Sequence, residues 1–432
     1  MRRAVIAWIC IVSITVSVRA DDLNAPPIEY AKAPAENAVS RLQHQLATGK
    51  AKLHFTEDHG YLKSVLAALD VPESSQVLVF SKTSLQRDRI APRTPRAIYF
   101  NDDVYVGFCL HGEVMELSAV DPSLGTVFYT LEQEPAERPR FTRQTENCLI
   151  CHGSSLTRSM PGHVVRSVTV DRGGMPYLSA GSHRTDYRSP FAERWGGWYV
   201  TGTHGKMTHR GNCFAPNKKA AEEGFDFSAG QNVTSLRPYF TNGMYLTPHS
   251  DIVALMTLEH QTEMHNRIAQ ATIDVRCALH YNAELNKAFD EPASHRFDST
   301  ASRIRTAGDN LLKALLLSEE AELTDRVTGT SSFARDFAAR GPKDSKGRSL
   351  REFDLNRRLF KYPCSYLIYS QAFDRMPGEV REYVLKRLFA VLRGEDPDKA
   401  FCHLSAGDRQ AILEILRDTK PNLPDYWRAS EN

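Results

Sequence analysis

The apolar residues change their spacing once along this chain, and that change limits the possible fold more than any single motif. Within residues 76–131 they fall in short β-rich runs, at 76–80, 97–100, 104–108, 114–117 and 126–131. The runs are split by the turn formers Asn101-Asp102-Asp103 and by the segment 121–125, which is how strands of a sheet are punctuated. Beyond Ser250 the period becomes helical. One long helix is predicted from Asp251 to about Asn286 with Ser250 as its N-cap, then helices over 304–317, 378–392 and 406–417, the last with Ser405 and Asp408 at capping-box spacing. Two short amphipathic helices, 37–47 and 60–69, precede the strands, and 164–170 and 197–201 are further strand candidates. Residues 328–349, rich in Gly, Ser, Arg and Lys, read as a long loop. This pattern predicts an α+β fold, with a strand-containing domain over 21–245 and a mostly helical region over 246–432.

The N-terminus predicts the compartment. Met1-Arg2-Arg3 is basic, residues 4–18 are apolar, and Val18-Arg19-Ala20 offers a small-residue cleavage site, so residues 1–20 read as a secretory signal peptide. The apolar stretch falls short of the roughly 20 residues that span a bilayer, and no later segment supplies an uninterrupted apolar span. A periplasmic or secreted protein is therefore expected, with no membrane span after cleavage. The chain carries 54 Lys and Arg against 52 Asp and Glu, or 51 against 52 without the three leader arginines. A balance that close gives no support for a nucleic-acid partner.

Eight cysteines are present, and Cys10 belongs to the leader. Of the remaining seven, Cys148 and Cys151 stand together in Glu146-Asn147-Cys148-Leu149-Ile150-Cys151-His152, which leaves an odd number elsewhere. At least one other thiol is thus expected to stay unpaired. Four readings of Cys148 to His152 compete. A structural zinc site needs four ligands, and the other cysteines are isolated singletons. A thiol-disulfide pair should follow a buried strand, whereas residues 139–147 are polar. Covalent haem attachment needs two thiols spaced to reach both vinyl groups of one porphyrin, followed directly by an imidazole for the iron. An accident of composition is the fourth. The haem reading fits the spacing and an exported chain best.

With those residues in view, Cys148, Cys151 and His152 resemble the attachment motif of c-type cytochromes. The resemblance covers this pentapeptide. It implies one covalent haem c, with Cys148 and Cys151 forming the thioethers and His152 the proximal iron ligand. More faintly, residues 194–205 and 361–366 look like segments of large secreted c-haem proteins of environmental bacteria with no assigned reaction.

For the other iron face, residues 195–212 are the richest segment, with two tryptophans among glycines and with His204 and His209 on a Gly-flanked loop. His204 is the first candidate for a distal ligand or acid-base group and His209 the second; an exposed hairpin with solvated histidines is the bland alternative. Arg143, Arg158, Arg166 and Arg194 are candidates to pair with haem propionates. On the long helix, Glu259, Glu263 and Asn266 continue the stripe begun by Ile252, Leu255 and Met256. Either the helix turns out to solvent there or Glu259 and Glu263 form a buried polar site beside the cofactor. The expected function is electron transfer through Fe(II)/Fe(III) to a redox partner protein. A haem enzyme of peroxidase or oxidase type, or a haem-based ligand sensor, is the alternative, because the chain is longer than wrapping one haem requires.

Overall fold

The computed structural model describes residues 23–240 and 243–428; the signal peptide expected over 1–20 lies outside the described residues. Two helices, α1 (Ala38–Ala47) and α2 (Leu62–Ala68), lead into a six-stranded antiparallel meander. Its strands are β1 (Val77–Val79), β2 (Arg96–Phe100), β3 (Val104–Phe108), β4 (Val114–Asp121), β5 (Gly125–Glu132) and β6 (Phe141–Gln144), hydrogen-bonded in sequence order. There follow the single turn α3 (Leu149–His152), the hairpin β7 (Arg166–Val168) with β8 (Ser182–Arg184), the short strand β9 (Gly202–Thr203) and α4 (Lys218–Glu223). The rest is mostly helical: α5 (Ile252–Phe289), α6 (Asp298–Leu315), strand β10 (Thr328–Gly329), α7 (Phe333–Ala339), α8 (Gln371–Asp374), α9 (Gly378–Arg393) and α10 (Ala406–Thr419). The fold is α+β, with the helices mostly in the C-terminal half. Among the described residues no helix is long and apolar enough to cross a membrane.

Alternation along the strands gives the sheet two different faces. Leu78, Ala97, Tyr99, Val106, Met115, Val127 and Leu131 pack with Val39, Leu42, Leu62, Val65 and Leu66 of α1 and α2 into one core. The other face presents Arg96, Ile98, Tyr105, Gly107, Glu116, Ser118, Phe128 and Thr130 to a cavity. The register places these side by side, Ile98 opposite Gly107, Gly107 opposite Glu116, Tyr105 opposite Ser118 and Ser118 opposite Phe128.

The second core is built on α5 and joins both halves of the chain, from Val77 and Trp195 to Ile412 and Trp427. Strand β9 pairs with β10 across it, Thr203 opposite Thr328. Nearly every residue of α5 from Ile252 to Ile273 is buried, so the helix is wrapped on all sides there, with only Arg267 and Gln270 partly exposed. This settles the choice at Glu259, Glu263 and Asn266: the helix does not turn out to solvent.

The N-cap of α5 is Asp251, not Ser250. Its carboxylate accepts from Val253 N and Ala254 N and also from Thr330 N, Ser331 N and Ser331 Oγ. Ser250 instead stitches β1 to the chain before α5, accepting from Leu78 N and donating to Tyr199 O. Asp251→Ala is therefore expected to lower stability by about 2 kcal/mol or more, since a cap and buried N–H partners go together. A urea midpoint unchanged from wild type would contradict this account of the cap. Residues 328–349 are likewise more ordered than a loop, because Phe333 and Phe337 bury one face of α7. Just beyond that segment, Arg351 is sandwiched between the rings of Phe337 and Tyr366 at 4.5 and 4.4 Å.

Candidate functional site

Cys148 and Cys151 open and close the first turn of α3 and line the same cavity, about 410 Å3 in volume, together with His152. That volume lies within the roughly 300–1,000 Å3 usual for small-molecule sites. Besides the sheet face, the walls are Val79, Leu156, His163, Val165, Trp198 and Leu258, with Leu85 and Ile150 at the mouth. Leu85 is 64% exposed and Ile150 75%, an unusual exposure for branched apolar side chains bordering a cleft.

His152 is held in one orientation. Its Nδ1–H donates to Gly162 O at 2.9 Å, and its ring packs on Phe128 with centroids 4.8 Å apart. A donor role at Nδ1 leaves Nε2 as the lone-pair nitrogen, the arrangement in which histidine binds a metal. Burial, with the Arg96 charge adding to it, lowers the pKa of the ring and keeps it neutral, against the pull of the Gly162 carbonyl. The loop that supplies Gly162 O is itself clamped: Asn266 accepts from His163 N and donates to His163 O, both at 2.8 Å. A Cβ on residue 162 would sit 2.4 Å from Asn266 Oδ1, so only glycine fits this contact.

Both motif cysteines carry free thiols. Burial, then Glu116, pushes the Cys148 thiol up to about 11. A catalytic thiol-disulfide pair requires the opposite shift. Among the described residues no three His, Cys, Asp or Glu side chains are grouped to hold a metal ion.

One ion pair lies in the wall. Arg96 Nη2 meets Glu116 Oε2 at 2.5 Å, and Ser84 Oγ donates to the same carboxylate at 3.1 Å. Arg96 lies over Gly107, where a Cβ would come within 2.2 Å of the guanidinium. Deeper in, the Tyr105 hydroxyl accepts from Gln261 Nε2 at 2.8 Å and donates to His265 Nδ1 at 2.9 Å, while Tyr366 donates to Gln261 Oε1 at 2.5 Å. The His163 ring lies 4.1 Å from that of Tyr105 and is engaged at both nitrogens, Nε2 with Ser118 Oγ at 3.0 Å and Nδ1 with Thr126 Oγ1 at 3.2 Å.

His204 and His209 are brought together, but not with the motif. Their rings are 4.8 Å apart, buried against Phe191 and Trp195, and neither lines the cavity. His204 Nε2 accepts from Asn232 N and His209 Nδ1 from Gly211 N. Burial, then the His204 charge, pushes His209 down to about 3. They are therefore neutral core histidines and not the solvated hairpin pair. Of the four arginines expected near propionates, only Arg166 lines the cavity. Arg143 binds the main-chain oxygens of Tyr30 and Ala33, Arg158 binds Glu263, and Arg194 binds Glu259.

His163, one of several histidines downstream of the motif that the sequence offers as a sixth ligand, does line the cavity, whereas Arg96, Glu116 and Ser118 were not legible as site residues. The usable signal was the alternation Arg96/Ile98, Glu116/Ser118 and Phe128/Thr130, which puts polar groups on the second face of an otherwise apolar sheet.

Comparison with known proteins finds no matching family model, no similar curated protein and no similar solved structure.

Proposed function

We propose that the chain is an exported, mono-haem c-type cytochrome-like protein. Cys148 and Cys151 would hold the haem through thioether bonds and His152 would be its proximal ligand. The observation that carries this reading is the Nδ1 hydrogen bond from His152 to Gly162 O beside two free thiols in one mostly apolar cavity. The bound iron would supply one-electron chemistry, Fe(II)/Fe(III), and the expected function is electron transfer with a redox partner protein. Arg166, and Arg96 in its pair with Glu116, are the cationic groups in the wall that could face propionates.

One feature favours the second reading, a haem enzyme or ligand sensor. Among the described residues, the only imidazole in the cavity wall apart from His152 is His163, whose nitrogens are both hydrogen-bonded, and no methionine lines it. A weakly held sixth position permits small-molecule chemistry.

A pyridine haemochrome spectrum of exported protein tests attachment and stoichiometry, and one c-type haem per chain is expected. Carbon monoxide then separates the two readings. A reduced band that ignores the gas supports the carrier, and a prompt shift supports the open site. Among variants, His163→Ala is expected to move the ferric band and His204→Ala to leave it in place. The reverse result would restore His204 as the distal group.

A further inference from the structure

Beside the cavity lies a concentration of positive charge that the haem reading does not use. The Glu263 carboxylate, on a side chain only 1% exposed, meets four guanidinium groups: Arg158 at 3.2 Å, Arg184 at 3.1 Å, Arg188 at 3.0 Å and Arg267 at 2.7 Å. Asp186 is the second acid, bound by Arg184 at 3.1 Å and Arg188 at 2.6 Å. Four cations thus face two anions. One arginine suffices to pair a buried carboxylate, and each further guanidinium adds like-charge repulsion that another anion must offset.

Three properties point outward. The arginine side chains keep between 12% and 27% of their surface exposed. Among the described residues Arg188 Nη1 and both Nη atoms of Arg267 have no hydrogen-bond partner, and none of these atoms is buried. The backbone also turns specially to bring Arg158 in, since Arg158 and Ser159 are consecutive non-glycine residues at φ 57° and 60°. Residues held in that region cluster where function requires them. Burial holds the Arg158 guanidinium below its usual value, with Arg267 and Arg184 adding to the effect against the pull of Glu263, whereas the hydrogen bond to Asp186 raises Arg188.

The cluster adjoins the cavity. Arg184 Nη1 donates to the carbonyl of the wall residue Leu156 at 3.2 Å, and Arg184 stands opposite the wall residue Arg166 in the β7–β8 hairpin. Guanidinium forks bind oxyanions through paired N–H donors. We propose that Arg158, Arg188 and Arg267 form a binding site for a free small oxyanion, divalent phosphate being the simplest ligand of that class, next to the cavity at Cys148 to His152.

The inference stands apart from the haem reading, and its test keeps the two separate. Inorganic phosphate is titrated at fixed ionic strength, with chloride as the balancing salt, into the full exported chain and into its Cys148→Ala/Cys151→Ala form. Saturable heat or a phosphate-specific rise in melting temperature is expected in both. Arg188→Gln is expected to weaken binding about tenfold, and Glu263→Gln, which removes a competing anion, to tighten it about tenfold. If Glu263→Gln does not fold, Arg188→Gln and Arg267→Gln carry the comparison. Binding only in the double cysteine variant would assign the arginines to haem propionates and overturn the proposal. A response that chloride reproduces, or none, would overturn it as well.

Discussion

Replacing both Cys148 and Cys151 with Ala is expected to abolish covalent pigment completely. The exported double variant should run colourless on a denaturing gel, with the mass of the bare processed chain. The two thiols stand three residues apart on one helical turn and so point to the same side, into a cavity that the neighbouring imidazole also lines. Each single variant keeps one thiol at that cavity and is expected to retain pigment on one thioether, at reduced yield. His152→Ala should separate attachment from ligation: the pigment stays covalent, but its absorption bands move because the nitrogen oriented by Gly162 O is gone. A thiol-disulfide enzyme predicts another set of outcomes, a colourless wild type and a dithiol reactive at neutral pH. The Cys148 thiol, raised to about 11, is poorly suited to that role. Colourless wild type from a host able to mature c-type haem would falsify the haem assignment.

The strand and helix pattern was readable because most elements obey a local rule. Ser405 and Asp408 do form a capping box on α10, and Val104–Phe108 is a strand over the residues its β-rich run predicts. The misses occur where a tertiary partner supplies what the local sequence lacks. β6, Phe141–Gln144, is mostly polar, and it becomes a strand by pairing with β5 at the sheet edge, with only Phe141 buried. Residues 197–201 look like a strand but form only isolated bridges, Trp198 with Val79 and Thr201 with Asp251. Ser250 and Asp251 are both good caps, and only the approach of Thr330 and Ser331 shows which one serves. The same holds for the site. Cys148, Cys151 and His152 carry their chemistry in their spacing, whereas the second wall depends on which sheet face the motif packs against. His204 and His209 looked poised for a ligand because glycines flank them, but those glycines let the backbone close tightly around a buried pair. A Cβ at Gly211 would come within 2.4 Å of Val200.

Arg194→Ala is expected to produce the largest loss of stability of any single change considered, with a pH dependence that identifies its cause. Arg194 Nη1 meets Glu259 Oε2 at 3.0 Å, with both side chains almost fully buried, and the guanidinium also donates to Tyr187 O and Ser189 O. Removing one member of a buried pair costs about 3–5 kcal/mol, because the remaining charge has no compensation. Burial pushes the Glu259 carboxyl up to about 7 even with Arg194 pulling it down. A carboxyl raised in the folded state favours folding most below its unfolded pKa, about 4.3, and that contribution fades as pH rises through about 7. Without Arg194 the folded value rises further, so at pH 8 the variant must either bury a bare carboxylate or take up a proton. At pH 5 Glu259 is already protonated in the folded state, and the lost charge pairing costs little. Urea unfolding of wild type and variant should therefore give a gap near the full 3–5 kcal/mol at pH 8 and a clearly smaller one at pH 5. Adding Glu259→Gln to the variant should remove most of the difference between the two pH values. An equal gap at both would assign the role of Arg194 to the two carbonyls it holds and leave Glu259 a neutral bystander.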